Sequence, residues 1–246
     1  MDTEKQQRRG IYLLPNLFTT AGLFAGFYAI IAAIRGDFEP AAIAIFIAMV
    51  MDGLDGRIAR MTNTQSAFGA EYDSLADMVS FCLAPALVIF QLALLDTGKV
   101  GWMVAFVYAA CGALRLARFN TQLGTADKRY FQGLPSPAAA ACVAGWVWLS
   151  TDNAFSPALI TNVALPLTFA CGILMVSTVR YHSFKDLDLR GKVPFVVLLV
   201  LVLVFALVAS DPSKVLFSGF LLYALSGIVF TLVKLRQHRV ERQHEK

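Results

Sequence analysis

The chain has 246 residues, of which 57% are hydrophobic and only 15% charged, against roughly 25% charged in soluble domains. Runs such as Pro194 to Val208 are too long and too apolar for a solvated core helix, so the composition excludes an ordinary soluble enzyme and points to an integral membrane protein. The net charge of +4 matters less than its uneven distribution.

The apolar segments do not alternate with period two, which selects helical spans over a β-barrel. Eight segments can be drawn, near Leu13–Ile34, Pro40–Arg60, Ala67–Leu95, Val100–Leu123, Pro135–Ser150, Pro157–Arg180, Val193–Ala209 and Lys214–Leu235. Turn residues separate them at Gly36-Asp37, Asp96-Thr97-Gly98, Thr151-Asp152-Asn153 and Ser210-Asp211-Pro212. The polar, basic stretch Met1–Gly10 leads into an apolar run that exceeds a signal-peptide core and lacks a clear cleavage site, so it is read as the first span. Cys82, Cys111, Cys142 and Cys171 fall inside spans without metal-ligand spacing and are read as small packing residues.

Of the 21 Lys and Arg residues, eighteen fall on one side of this arrangement. They lie in the amino terminus, at Arg57 and Arg60, around Arg115–Arg129, around Arg180–Lys192, and in the tail. Only Arg35, Lys99 and Lys214 fall on the other. That bias places both termini in the cytoplasm and favours an even span count. The expected fold is an all-α, polytopic membrane helix bundle of about eight transmembrane helices, one domain over 1–246, with the last two helices (about 193–236) the most uniformly apolar.

The chemistry concentrates in Asp52-Gly-Leu-Asp55-Gly56-Arg-Ile-Ala59-Arg60, followed by Gly69, Asp73 and Asp77. Each aspartate at a helix centre costs roughly 2.5–3.5 kcal/mol on insertion scales, so four of them require partners. Asp52 and Asp55 share one face of the second span at i,i+3. Gly69, Asp73 and Asp77 form one stripe on the third at i,i+4,i+8. The connection Met61–Ser66 is short, so the two helices run antiparallel. Asp52 stands about 12 Å along the helix from Arg60 and Asp77 about 15 Å from Ala67, so the acid faces meet at similar depth. Two arginines do not neutralise four carboxylates. Hard divalent cations such as Mg²⁺ or Mn²⁺ suit these oxygen ligands, and a pair of them clamps a phosphate under attack. Arg60, with Gly56 and Gly69 allowing close backbone approach, suits a phosphate-bearing ligand. The pattern alone also fits a cation path across the membrane, but that path needs polar groups continuing toward the far leaflet, and the remaining spans offer none deep inside.

The eight positions Asp52, Asp55, Gly56, Ala59, Arg60, Gly69, Asp73 and Asp77, with eight residues between Arg60 and Gly69, resemble the complete signature of the CDP-alcohol phosphotransferases. The resemblance implies a six-helix core (about 11–181) plus two helices, a homodimer, a site with two divalent cations open to the cytoplasm, and displacement of CMP from a CDP-linked lipid by an alcohol. It implies that Asp52, Asp55, Asp73 and Asp77 bind the metals and that Asp77 also acts as base. It makes Gly56, Arg60, Gly69 and Ser66 contacts to the CDP moiety, joined by Asn16 and Thr19 of the first span. Arg115-Leu-Ala-Arg118-Phe-Asn120 and Phe131-Gln-Gly-Leu-Pro-Ser-Pro137 are similar to the bacterial phosphatidylserine synthase branch. That branch implies CDP-diacylglycerol as donor and L-serine as acceptor, with Arg118, Asn120 and Arg115 around the acceptor. It also implies a home in the inner (cytoplasmic) membrane, and no nucleic acid among the partners. Arginine recognises a carboxylate bidentately, although the same arginines also serve to anchor a helix end at lipid headgroups. Other acceptors within the class are glycerol 3-phosphate, inositol phosphate and choline.

Overall fold

The computed structural model of the chain describes residues 13–62, 64, 66–121, 130–182 and 195–244. Eight helical rods hold most of them: α1 (Leu13–Arg35), α2 (Phe38–Thr62), α3 (Ala67–Thr97), α4 (Lys99–Thr121), α5 (Ser136–Asp152), α6 (Pro157–Val176), α7 (Phe195–Ser210) and α8 (Pro212–His244). The architecture is the all-α membrane bundle that the composition requires. Among the described residues, α1, α3, α4, α6 and α8 are long and apolar enough to cross a bilayer. The other three differ for visible reasons: α2 carries Asp52, Asp55, Arg57 and Arg60, while α5 and α7 have 17 and 16 residues. Much of the charge bias rests on Lys5, Arg8, Arg9, Lys128, Arg129, Lys185, Arg190, Lys192 and Lys246, which lie outside the described residues, as do Leu123 and Val193.

The rods pack around α5, in which every residue from Ala138 to Val147 is buried. Small residues set the spacing, as expected where lipid gives no hydrophobic drive between helices and close packing must supply it. A Cβ at Gly145 would lie 3.1 Å from Phe217 Cα on α8, and one at Gly172 of α6 would lie 3.1 Å from Tyr108 Cα on α4. The four cysteines are free and buried, and Cys82 fills the space left by Gly112. At the far end Ser213 donates to Asp152 Oδ2 (2.7 Å), tying the start of α8 to the end of α5. Thus α8 braces the bundle, whereas α7 exposes Leu199, Leu203 and Phe205 and, among the described residues, packs mainly on α8.

Two features depart from a simple bundle. First, α3 is not uniformly α-helical. It widens to π geometry at Met78–Leu83 and Phe90–Leu94, and closes with a 3₁₀ turn at Leu95–Thr97. Pro85 has no N–H, so a straight helix would leave the Phe81 carbonyl without its donor. The Tyr108 hydroxyl donates to that carbonyl instead (3.0 Å), and the first wide turn starts immediately after Asp77. Second, a short antiparallel ribbon joins β1 (Tyr130–Gln132) to β2 (Arg180–His182), pairing Phe131 with Tyr181. Three-residue strands carry no alternation that a sequence reading can detect. Gly133 ends β1 at φ +81°, and a Cβ there would meet the Met175 carbonyl oxygen at 2.2 Å, so this turn requires glycine.

Candidate active site

The short connection after α2 turns the chain back on itself, and Ser66 caps α3 by accepting from the Gly69 N–H (3.0 Å). That start fixes the rotation of α3 and turns Asp73 and Asp77 toward Asp52 and Asp55 of α2. Asp52, Asp55 and Asp73 each offer a carboxylate oxygen, all three within 4.8 Å of one another. Asp77, one turn further along α3, interacts electrostatically with Asp52 and Asp73 and lines the same narrow cleft, whose walls are Thr19, Gly22, Ala48 and Ser80. The structure therefore gathers all four aspartates of the sequence motif in one place.

Helix α1 forms the third wall. Ser80 donates to the Gly22 carbonyl (3.1 Å), and a Cβ at Gly26 would lie 2.7 Å from Ser80 Cα, so α1 and α3 touch backbone to backbone. This contact carries Thr19 to the acids, where its hydroxyl donates to Asp55 Oδ2 (2.6 Å). Thr19, expected as a nucleotide contact, thus stands in the cleft beside the acids. Asn16 and Ser66 share a corner at the mouth, their oxygens 3.6 and 3.1 Å from where a Cβ on Gly69 would stand. Arg60 folds back over Gly56, its Nη1 3.5 Å from the corresponding point, and acts electrostatically on Asp55.

The second group of sequence candidates lies beside the cleft, on α4. Arg115 donates through Nη1 to Ser136 Oγ (3.0 Å) and interacts electrostatically with Asp77, while its Nε is buried with no hydrogen-bond partner among the described residues. Arg118 donates through Nη2 to Gln132 Oε1 on the ribbon. Asn120, expected near the acceptor, exchanges hydrogen bonds with Ser74 of α3 (3.1 and 3.2 Å), next to Asp73, which joins α4 to α3. The contacts Thr19–Asp55 and Asn120–Ser74 escaped the sequence reading. Both join a small polar side chain to a partner far along the chain, and neither partner sits at a motif spacing from it.

Three carboxylate oxygens at this separation repel unless positive charge lies among them, and an all-oxygen donor set suits a hard divalent ion. The residues thus fit a cation.

The family follows from comparison with known proteins. Residues 12–174 match the model of the CDP-alcohol phosphatidyltransferases, and the chain belongs to that family. Within it, the chain is 38% identical over 225 residues to the CDP-diacylglycerol–serine O-phosphatidyltransferase of Helicobacter pylori strain J99, an alignment covering 92% of this chain and 94% of that protein. It is 43% identical over 146 residues to the protein of the same description from Mycobacterium tuberculosis strain H37Rv, covering 56% of this chain and 50% of that one. It is 33% identical over 170 residues to the archaetidylserine synthase of Methanothermobacter thermautotrophicus, covering 68% and 69%.

Proposed function

We propose that this protein transfers the phosphatidyl group of CDP-diacylglycerol to the hydroxyl of L-serine, giving phosphatidylserine and CMP. The observation that carries the reading is the convergence of Asp52, Asp55 and Asp73 beside Asp77, in a chain whose relatives along most of its length are named for serine transfer. Asp52, Asp55 and Asp73, with Asp77, hold two divalent cations, Mg²⁺ or Mn²⁺. Bound there, these ions neutralise the diphosphate and stabilise CMP as leaving group. Arg60, Gly56, Gly69, Asn16 and Ser66 seat the CDP moiety at the mouth. Asp77 takes the proton of the serine hydroxyl while that oxygen bonds to the lipid-linked phosphorus and the bond to the CMP oxygen breaks. Arg118 and Arg115 receive the serine carboxylate or the lipid phosphate. Thr19 and Asn120 orient Asp55 and the α3 acid stripe.

We place the protein in a bacterial inner membrane with eight spans, both termini and the site on the cytoplasmic side, and as a homodimer. The Lys/Arg bias supports the orientation, and the mouth at Gly69 and Arg60 lies at the basic end of α2 and α3. The test is CMP release by the purified full chain given CDP-diacylglycerol, a divalent cation and one acceptor at a time. Release with L-serine, accompanied by labelled phosphatidylserine, is expected. Release with glycerol 3-phosphate, inositol phosphate or choline and none with serine would reassign the acceptor.

A further inference from the structure

The ribbon and the last long helix carry no motif, yet the structure ties them to the arginines beside the acid cleft. Tyr181 of β2 is fully buried although it sits in a connection between helices. Its hydroxyl donates to the Ala224 carbonyl of α8 (3.0 Å), and its ring lies against Tyr223 with centroids 5.5 Å apart. Burial pushes the phenol above its ordinary value, with Tyr223 adding to the effect, so Tyr181 keeps its proton as a donor. The ring occupies a notch that exists because residue 227 is glycine: a Cβ there would stand 2.3–2.6 Å from three ring atoms. The other side of the ribbon reaches the site. Gln132, two positions from the Tyr130 end of β1, accepts from Arg118, and the Gly133 and Leu134 N–H groups donate to Val179 and Leu174 (2.9 Å each). Ser136, which accepts from Arg115, opens α5 two residues later. On α8, Tyr223 interacts electrostatically with Arg115.

We propose that Tyr181 is a positioning residue for the acceptor: seated in the Gly227 notch of α8, it fixes the ribbon that holds Gln132 to Arg118 and sets the start of α5 beside Arg115. The C-terminal helix is then part of the acceptor pocket's frame. This rests on the reading of Arg115 and Arg118 as contacts to the serine carboxylate rather than to the lipid phosphate. A frame that merely stabilised the bundle would affect both substrates alike. A frame for the acceptor arginines affects serine selectively, because the ribbon's hydrogen bonds run to Arg118, to Leu174 and Val179, and to α8, while the acids stand on α2 and α3.

The test uses the full chain in detergent, with Gly227→Ala to press on the ring and Tyr181→Phe to remove only the hydroxyl. Two readouts are taken: KM for each substrate, and amide hydrogen exchange at Gly133 and Leu134. Gly227→Ala should raise the serine KM at least tenfold while the CDP-diacylglycerol KM stays within twofold, and should speed exchange at both amides. Tyr181→Phe should move the same quantities in the same direction by a smaller factor, and it carries the test if the glycine variant does not fold. An unchanged serine KM in folded variants, or equal increases for both substrates, would overturn the proposal. If the wild-type protein releases no CMP with serine, the acceptor reading fails, and unaltered amide exchange in the variants would still overturn the latch.

Discussion

Replacing Thr19 with valine removes one hydroxyl from the acid cleft and little else. Thr19 is buried, and its side chain has two acceptors in reach, the Pro15 carbonyl at 3.1 Å and Asp55 Oδ2 at 2.6 Å. It has one proton to give, and the shorter contact to the carboxylate takes it. A hydrogen bond to a charged group contributes about 1.5–3 kcal/mol. At about 1.4 kcal/mol per decade that corresponds to roughly 10- to 100-fold in any equilibrium that depends on Asp55 being oriented, the range seen when a metal ligand loses its supporting hydrogen bond. Thr19→Val should therefore raise the Mn²⁺ concentration for half-maximal activity by that factor, with the same shift in Mn²⁺ binding followed by electron paramagnetic resonance. Thr19→Ser should stay near wild type. A Thr19→Val protein with an unaltered Mn²⁺ midpoint and a raised CDP-diacylglycerol KM would refute this reasoning and make Thr19 a nucleotide contact.

Asp77→Asn should abolish turnover while CDP-diacylglycerol binding, measured by equilibrium titration, is largely retained; full activity would remove Asp77 from the role of base. Arg118→Lys should raise the serine KM far more than the CDP-diacylglycerol KM, because an ammonium cannot reproduce the fork that meets a carboxylate; equal effects would place Arg118 elsewhere. Gly133→Ala should cost about 2 kcal/mol or more, as it combines a left-handed backbone with a Cβ driven into the Met175 carbonyl. Gly36→Ala makes the comparison: its φ is +85° with open space around it, so only the backbone cost of about 1–2 kcal/mol is expected. Thermal unfolding in detergent checks the pair, and equal losses would show that the close approach at Gly133 is relieved cheaply.

How far the sequence can be read depends on what each residue is free to do. Aspartates in an apolar span have few alternatives, so Asp52, Asp55, Asp73 and Asp77 announced both the helices and the faces that meet. The structure gathers them as that spacing requires. The turns at Gly36 and Gly98 were equally legible, since both glycines adopt positive φ. Thr19 and Asn120 are different. Threonine and asparagine satisfy themselves locally in many ways, so nothing in the chain specifies that Thr19 finds Asp55 36 residues away or that Asn120 finds Ser74 46 residues back. The wide turn after Asp77 had a signal in Pro85, but its compensation by Tyr108 depends on how α4 packs. The ribbon left none: neither Tyr181 nor Gly227 stands in a motif, and their pairing exists only once α8 lies against β2.

The central claim is that the four aspartates hold cations around a lipid diphosphate. Diffraction from crystals of the full chain grown with Mn²⁺ and CDP-diacylglycerol tests it most directly, through the manganese anomalous signal. Two peaks among Asp52, Asp55, Asp73 and Asp77, with the diphosphate bridging them toward Arg60, are the predicted result. Manganese absent from these carboxylates while the nucleotide is bound, or bound only elsewhere on the protein, would contradict it.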